Sequence, residues 1–212
     1  MNMSHTLLIG NGEKIALPRL QQLARQAHLI AAADGGCGVL LQAGIVPDWV
    51  IGDLDSLPAT DAKKIPPQRL VHIPTQENND LEKALSFLVK KGVRSCTLAG
   101  FTGGRFDFSL GNLLLLRRFA RKLQLHLAGN EWDFFLLTHT RHLSCAKGAR
   151  ASLLPLTACG GVSLAGFVYP LHQARLNVGT TRTLSNQTTR TAVTVSLKSG
   201  ILGVYLETKP QK

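Results

Sequence analysis

Across the first 130 positions the apolar residues follow two rhythms. Short, largely apolar runs at Thr6–Ile9, Leu29–Ala33, Trp49–Ile51, Arg69–Ile73, Cys96–Ala99 and Leu125–Leu127 read as strands, and several run straight into Gly, Asn or Asp, the residues of turns. Between them the apolar positions recur with a helical period. Leu17, Leu20, Leu23, Ala24 and Ala27 form one such face, Val39 to Ala43 closed by Gly44 a shorter one, and Leu81, Ala84, Leu85 and Leu88 a third. The third carries its own punctuation: Asn79 can cap it, Glu82 stands three residues on, and Lys90, Lys91 and Gly92 suit its carboxyl end. A further helix is predicted over about Ser109 to Lys122, with Leu113–Leu116 inward and Arg117, Arg118, Arg121 and Lys122 outward or at its end. Strands alternating with helices through short loops predict an α/β domain over residues 1–130, a Rossmann-like parallel sheet with helices on both faces.

From about Asp133 the helical period disappears. Phe134–Leu137, Ala151–Leu154, Val162–Leu164, Ala192–Leu197 and Ile201–Leu206 are short and β-branched or alternating, with Gly, Ser, Thr, Asn and Pro between them. Lys198-Ser199-Gly200 reads as a hairpin turn joining the last two. Residues 131–212 are therefore expected to be an all-β domain, a small β-sandwich. Neither half shows an internal repeat or a low-complexity tract.

Composition narrows the chemistry. At 212 residues and 44% hydrophobic, the chain suits one large or two small globular domains. No apolar run approaches the roughly 18–20 residues of a membrane span, and the first ten residues have neither a basic start nor a long apolar segment, so cytoplasmic residence is the expectation. Cys37, Cys96, Cys145 and Cys159 form no CxxC pair, which argues against a zinc site or a disulfide framework. The net charge of +11 is uneven: residues 1–133 carry 15 Lys/Arg against 12 Asp/Glu, whereas residues 134–206 carry seven Lys/Arg and no acid. Those basic residues are dispersed and have few aromatics between them, a weak signature for nucleic acid.

Candidate chemistry concentrates between Asp34 and Ser56. Asp34, Asp53 and Asp55 each follow a short apolar run, and Asp53 and Asp55 stand two apart, a spacing that in an extended segment points both carboxylates to one side. A divalent cation between such acids and a phosphate would account for them, and so would a solvated loop after a strand. Their positions at strand carboxyl ends, where α/β sheets bind ligands, favour a site. Gly100-Phe101-Thr102-Gly103-Gly104-Arg105 falls at another such end and adds backbone amides and one cation. Asp80 opens a helix, where dipole stabilisation alone would explain it. There is no GxxxxGK[ST], GxGxxG or GxSxG, so these are the parts of a phosphoryl-transfer site without a P-loop.

Several stretches, in order along nearly the whole chain, resemble the thiamine pyrophosphokinase family. They are Ala33-Asp34-Gly35-Gly36, Pro47-Asp48, Ile51-Gly52-Asp53-Leu54-Asp55-Ser56, the segment Gln76 to Leu85, Gly103-Gly104-Arg105-Phe106-Asp107, Leu110-Gly111-Asn112-Leu113, Gly166 to Leu171, and Leu184-Ser185-Asn186. The resemblance implies an enzyme that moves a pyrophosphoryl group from ATP to the hydroxyl of thiamine, releasing AMP and using Mg2+. It further implies a homodimer with active sites between subunits, with no nucleic-acid or membrane partner. By that match Asp53, Asp55 and Asp80 are the Mg2+ ligands and Asp34 organises the catalytic acids. Asn11, Gln76, Asn79, Gly104, Arg105 and Asp107 face ATP, and Tyr169, Ser185 and Asn186 face thiamine. The chain departs from the family pattern at Asn79 (usually Thr), at Phe108 (often His or Gln), and at Cys37-Gly38 (more usually Ala-Asn). With no Trp in the second half, an aromatic cover for thiamine falls to Tyr169 or Phe167. Two other classes are open to the same residues. One is a nucleic-acid binder using the basic half, marked by steep salt dependence; the other is a nucleotide-binding regulator without turnover, which has less need of clustered acids.

Overall fold

The computed structural model describes residues 5–210. They form two compact units that divide between Leu123 and Gln124. The first contains β1 (Thr6–Ile9), α1 (Leu17–Gln26), β2 (Leu29–Ala33), α2 (Gly36–Gln42), β3 (Trp49–Gly52), the single turn α3 (Ala59–Ala62), β4 (Leu70–His72), α4 (Asp80–Lys90), β5 (Ser95–Ala99) and α5 (Phe106–Phe119). Its strands lie in the order β5-β1-β2-β3-β4 and all pair in parallel. Every residue of β1 is buried, as expected of a central parallel strand covered on both faces. The chain moves one way from β1 through β2, β3 and β4, then returns to place β5 on the other side of β1. That reversal between β1 and β5 opens a crevice at their carboxyl ends.

Local chemistry sets the helix starts. Asn79 caps α4, its side-chain oxygen accepting the Glu82 N–H at 2.9 Å, as the spacing predicts. Leu81, Ala84, Leu85 and Leu88 are the buried stripe, and Lys83 is buried beside them. Helix α5 begins three residues earlier than its apolar period indicates, because Gly103 and Gly104 take positive φ and turn the chain straight into it.

The second unit contains β6 (Gln124–Ala128), β7 (Trp132–Leu137), β8 (Arg141–Ser144), β9 (Ala149–Pro155), β10 (Cys159–Ala165), β11 (Ala174–Leu176), β12 (Asn186–Gln187), β13 (Ala192–Ser196) and β14 (Leu202–Pro210). One antiparallel sheet runs β12-β9-β14-β7-β6 and the other β11-β10-β13-β8. Leu153, Leu202 and Val204 from the first share a core with Val162, Leu164, Val193 and Val195 from the second, the expected sandwich. Leu125–Leu127 lies in β6, which pairs antiparallel with β7 across a tight turn where Gly129 N–H bonds to Trp132 C=O. One detail differs from the sequence pattern. Lys198–Gly200 is not a hairpin turn: β13 and β14 belong to different sheets, and this segment crosses between them, held by a bridge from Ser199 to Gly160. Two alternating runs joined by a turn look alike whether they pair or change sheets.

Candidate active site

The crevice predicted by the strand order is a cleft of about 400 Å3 in the first unit. Gly10, Asn11 and Gly12 after β1, Asp34 and Gly35 after β2, and Gly100 to Arg105 after β5 line it, with Ser56, Asn79, Asp80, Phe108 and Asn112 completing the wall. Its floor depends on glycine. A Cβ on Gly10 would stand 2.6 Å from the Gly100 carbonyl oxygen, and one on Gly100 would meet Gly10 C=O at 2.6 Å. Backbone at that spacing lets amides approach a phosphate closely. Asn112 reaches down from α5, donating to Phe101 C=O at 2.9 Å and accepting from Asn79 at 3.0 Å, which ties the α4 cap to the loop after β5.

Oxygen atoms of Asp34, Asp53 and Asp55 lie within 4.8 Å of one another. Their convergence does not come from an extended segment, as the two-residue spacing implied. Leu54, between the two acids, has φ 65°, and the Asp55 N–H folds back on Asp53 Oδ1 at 3.4 Å. Asp34 is also left-handed, with φ 38°, and is 3% exposed. It packs against Gly52, where a Cβ would fall 2.8 Å from the Asp34 Cβ. Its Oδ1 is buried and has no hydrogen-bond partner. Burial raises the Asp34 pKa; the nearby Ser56 hydroxyl opposes that, and the charges of Asp80, Asp53 and Asp55 add to it. A buried carboxylate oxygen without a donor, on an acid grouped with two further carboxylates, fits a hard cation, and an all-oxygen donor set is what Mg2+ takes.

Asp53 is held differently. Lys83 Nζ donates to its Oδ2 at 2.6 Å and to Asp80 Oδ1 at 3.2 Å, and Gln76 donates to the same Asp53 oxygen at 3.2 Å. The Lys83 bond is the main reason the Asp53 pKa falls to about 2. Burial works against the charge on Lys83, but the two carboxylates outweigh it and raise its pKa. Asp80 thus faces the cleft while paired to Lys83, and it is Asp34 that groups with Asp53 and Asp55. Gln76 meets Asp53 and does not line the cleft. Arg105 and Gly104 line it, and the Arg105 guanidinium binds Asp107 in a forked pair at 3.1 and 2.5 Å. The Phe108 ring lies 4.4 Å beneath that guanidinium, so where a polar residue is usual an aromatic face supports the arginine.

The residues that the resemblance assigns to thiamine lie in the second unit. Tyr169 is 67% exposed, whereas Phe167 is 6% exposed and belongs to the sandwich core, which leaves Tyr169 as the aromatic able to meet a ligand. Asn186 is buried, and its amide is spent on backbone. Oδ1 accepts from Tyr169 N–H at 3.0 Å and Gln187 N–H at 2.8 Å, while Nδ2 donates to Tyr169 C=O at 2.8 Å. Ser185 has φ 56° and its N–H binds Ser152 Oγ at 3.0 Å.

Sequence reasoning quoted Lys83, Asn112 and Ser56 within motifs but gave none of them a role. The Asp80–Lys83 spacing, one turn apart on α4, was a readable signal for the first; Asn112 and Ser56 gain their places only through the tertiary fold.

Comparison with known proteins agrees with this geometry. Residues 20–127 match the family model "Thiamin pyrophosphokinase, catalytic domain", and residues 140–202 match "Thiamin pyrophosphokinase, vitamin B1 binding domain". Thiamine pyrophosphokinase of Bacillus subtilis is 28% identical over 202 residues, covering 92% of this chain and 94% of that one. The crystal structure of the Bacillus subtilis enzyme superposes with a TM-score of 0.82 at 25% identity, covering 97% and 99% of the two chains. That of thiamin pyrophosphokinase from Geobacillus thermodenitrificans gives 0.81 at 26%, covering 98% of each. With the catalytic-domain model covering all four acids of the site and the vitamin B1 model spanning Tyr169 to Asn186, the chain belongs to the thiamin pyrophosphokinase family.

Proposed function

We propose that this chain is a Mg2+-dependent thiamine pyrophosphokinase, moving the pyrophosphoryl group of ATP to the hydroxyethyl oxygen of thiamine and releasing AMP. The observation that carries the reading is the strand-end cleft that joins a glycine floor to a buried carboxylate, Asp34, whose Oδ1 has no partner of its own. Asp34, Asp53 and Asp55 would hold Mg2+, which when bound neutralises phosphate charge and orients the triphosphate. Asp80, named with Asp53 and Asp55 by the family resemblance, flanks them from the start of α4. Asn11, Asn79 and Gly104 contribute polar atoms along the triphosphate. Gln76 acts through Asp53, and Asp107 acts through Arg105, whose guanidinium faces the transferring phosphates. The displacement at the β-phosphorus has a loose transition state, so alignment and charge stabilisation are the main demands and a strong base is not required.

Thiamine is assigned to the sandwich unit. Tyr169 offers an exposed ring for the pyrimidine or thiazolium, Ser185 a hydroxyl, and Asn186 fixes the Tyr169 backbone. The protein works as a cytoplasmic homodimer in which the sandwich of one chain completes the cleft of the other. Among the described residues no helix is long and apolar enough to cross a membrane. The test is AMP release from ATP and Mg2+, measured with and without thiamine. Release that requires thiamine and yields thiamine diphosphate in equal amount is the expected result; thiamine-independent release, or none, overturns the reading.

A further inference from the structure

Lys83 is a buried charge to which the proposed reaction assigns no role. It lies on α4, one turn past Asp80, and is 4% exposed, a burial that lysine tolerates only when paired. Its Nζ stands 2.6 Å from Asp53 Oδ2 and 3.2 Å from Asp80 Oδ1. Asp53 therefore bonds an ammonium while also belonging to the three-acid group with Asp34 and Asp55, and Asp34 carries a buried Oδ1 without a partner. A carboxylate shared between two cation positions is the pattern of a two-metal phosphoryl-transfer site, where paired ions lie about 3.5–4 Å apart. Here one of the two positions is filled by protein.

Resting on the Mg2+-dependent reading above, we propose that the Lys83 ammonium occupies the place of a second divalent cation between Asp53 and Asp80, so that this four-carboxylate site takes one metal ion where it would otherwise take two. An ammonium is a compact point charge, suited to that substitution in a way the planar guanidinium is not. Unlike a metal ion it cannot dissociate: its stem is anchored in α4, which Asn79 caps and which packs on β2 and β3. Lys83 is in this sense a positioning residue. It aims Asp53 at the metal and holds Asp80 at the cleft wall without touching ATP or thiamine.

The experiment counts Mn2+ bound per chain by electron paramagnetic resonance in the wild type, Lys83→Met, Lys83→Gln and Lys83→Arg, with a thermal melt of each. The expected result is one Mn2+ in the wild type and in Lys83→Arg, and two in Lys83→Met and Lys83→Gln. Turnover of Lys83→Met should fall on the order of 10²-fold at Mn2+ levels that saturate the wild type, the scale for losing one preorganised charge contact. It should recover as Mn2+ is raised further, along a second saturable Mn2+ dependence that the wild type lacks and that a merely structural lysine would not produce. Should Lys83→Met lose its cooperative melt, Lys83→Gln, which keeps a donor toward the acids, supplies the count. One ion in both uncharged variants, or two in the wild type, overturns the assignment of Lys83 while leaving the Mg2+ reading intact. No ion in any variant overturns the Mg2+ reading and this inference with it.

Discussion

The two units treat buried polar groups in opposite ways. In the α/β unit the acids gather at strand ends and are left wanting: Asp34 Oδ1 is buried with no donor, and Asp53 and Asp80 share one lysine. In the sandwich the buried polar side chains are spent on backbone. Thr183 donates to Leu153 C=O at 2.8 Å, Thr188 donates to Ala146 C=O at 2.7 Å, and all three of the Asn186 bonds go to main-chain groups. The difference separates two kinds of residue that look alike in a motif. A satisfied buried polar group specifies a loop, whereas an unsatisfied carboxylate oxygen on an acid grouped with two others suits a cation. Under the proposed function, Asp34 would meet the metal directly, while Asn186 would act through the Tyr169 backbone it binds.

The largest effect should come from removing an acid that carries little structure. Asp55 is exposed, and its side chain accepts from the Ser56 hydroxyl at 3.1 Å. Asp55→Ala should therefore lower kcat by about 10³-fold or more, on the scale of lost electrostatic stabilisation, with an unchanged melt. A lower melting temperature together with lost activity would make it a structural residue and weaken the contrast. Next in size is complementation. Asp55→Ala and Tyr169→Ala chains, each impaired alone, should regain up to about a quarter of wild-type activity after subunit exchange, as expected for statistical mixing in a two-fold dimer with shared sites. No recovery after exchange has been verified by native mass spectrometry would place both halves of the site on one chain.

Asn186→Ala should act more modestly. It leaves the Tyr169 N–H and C=O without their partner, at a cost of about 1–3 kcal/mol. The signature is a rise in KM for thiamine with KM for ATP unchanged. Equal loss for both substrates would mean that the sandwich unfolds as a whole, and Asn186 would then not report on Tyr169.

How much of this was legible beforehand follows from the range of the interactions. Strand–helix alternation and the Asn79 cap depend on neighbours in sequence, so periodicity and spacing reveal them, and with them the parallel sheet and its ligand-binding edge. The acid group was found for a partly mistaken reason: Asp53 and Asp55 converge through the left-handed Leu54, which no apolar pattern encodes. The change of sheet at Lys198–Gly200 was invisible because pairing partners are chosen over long range. Lys83 sat inside a quoted motif without a role of its own, since its burial depends on α4 packing over β2 and β3.

The smallest effect, and the finest probe of the contrast, is in pH. The Lys83 bond holds the Asp53 pKa at about 2, below its ordinary value of 3.8. A carboxyl whose folded pKa is depressed binds protons more readily when unfolded, so it stabilises the fold above its unfolded pKa and loses that contribution as pH falls through its folded pKa. Asp34 runs the other way: burial raises its pKa, so its charge costs stability that returns on acidification. In metal-free buffer the stability difference between the wild type and Asp53→Asn should be constant above pH 4 and shrink as pH falls from about 4 toward about 2. The matched pair Asp34→Asn should show its gain over the wild type at neutral pH and lose that gain on acidification. A sandwich acid such as Glu207, 3.6 Å from Arg150 at the surface, should leave the curve unmoved when replaced by Gln, since exposed pairs contribute little. If Glu207→Gln shifted the acid limb as much as Asp53→Asn, the electrostatic strain would be spread over the whole chain and would not be stored at the strand ends.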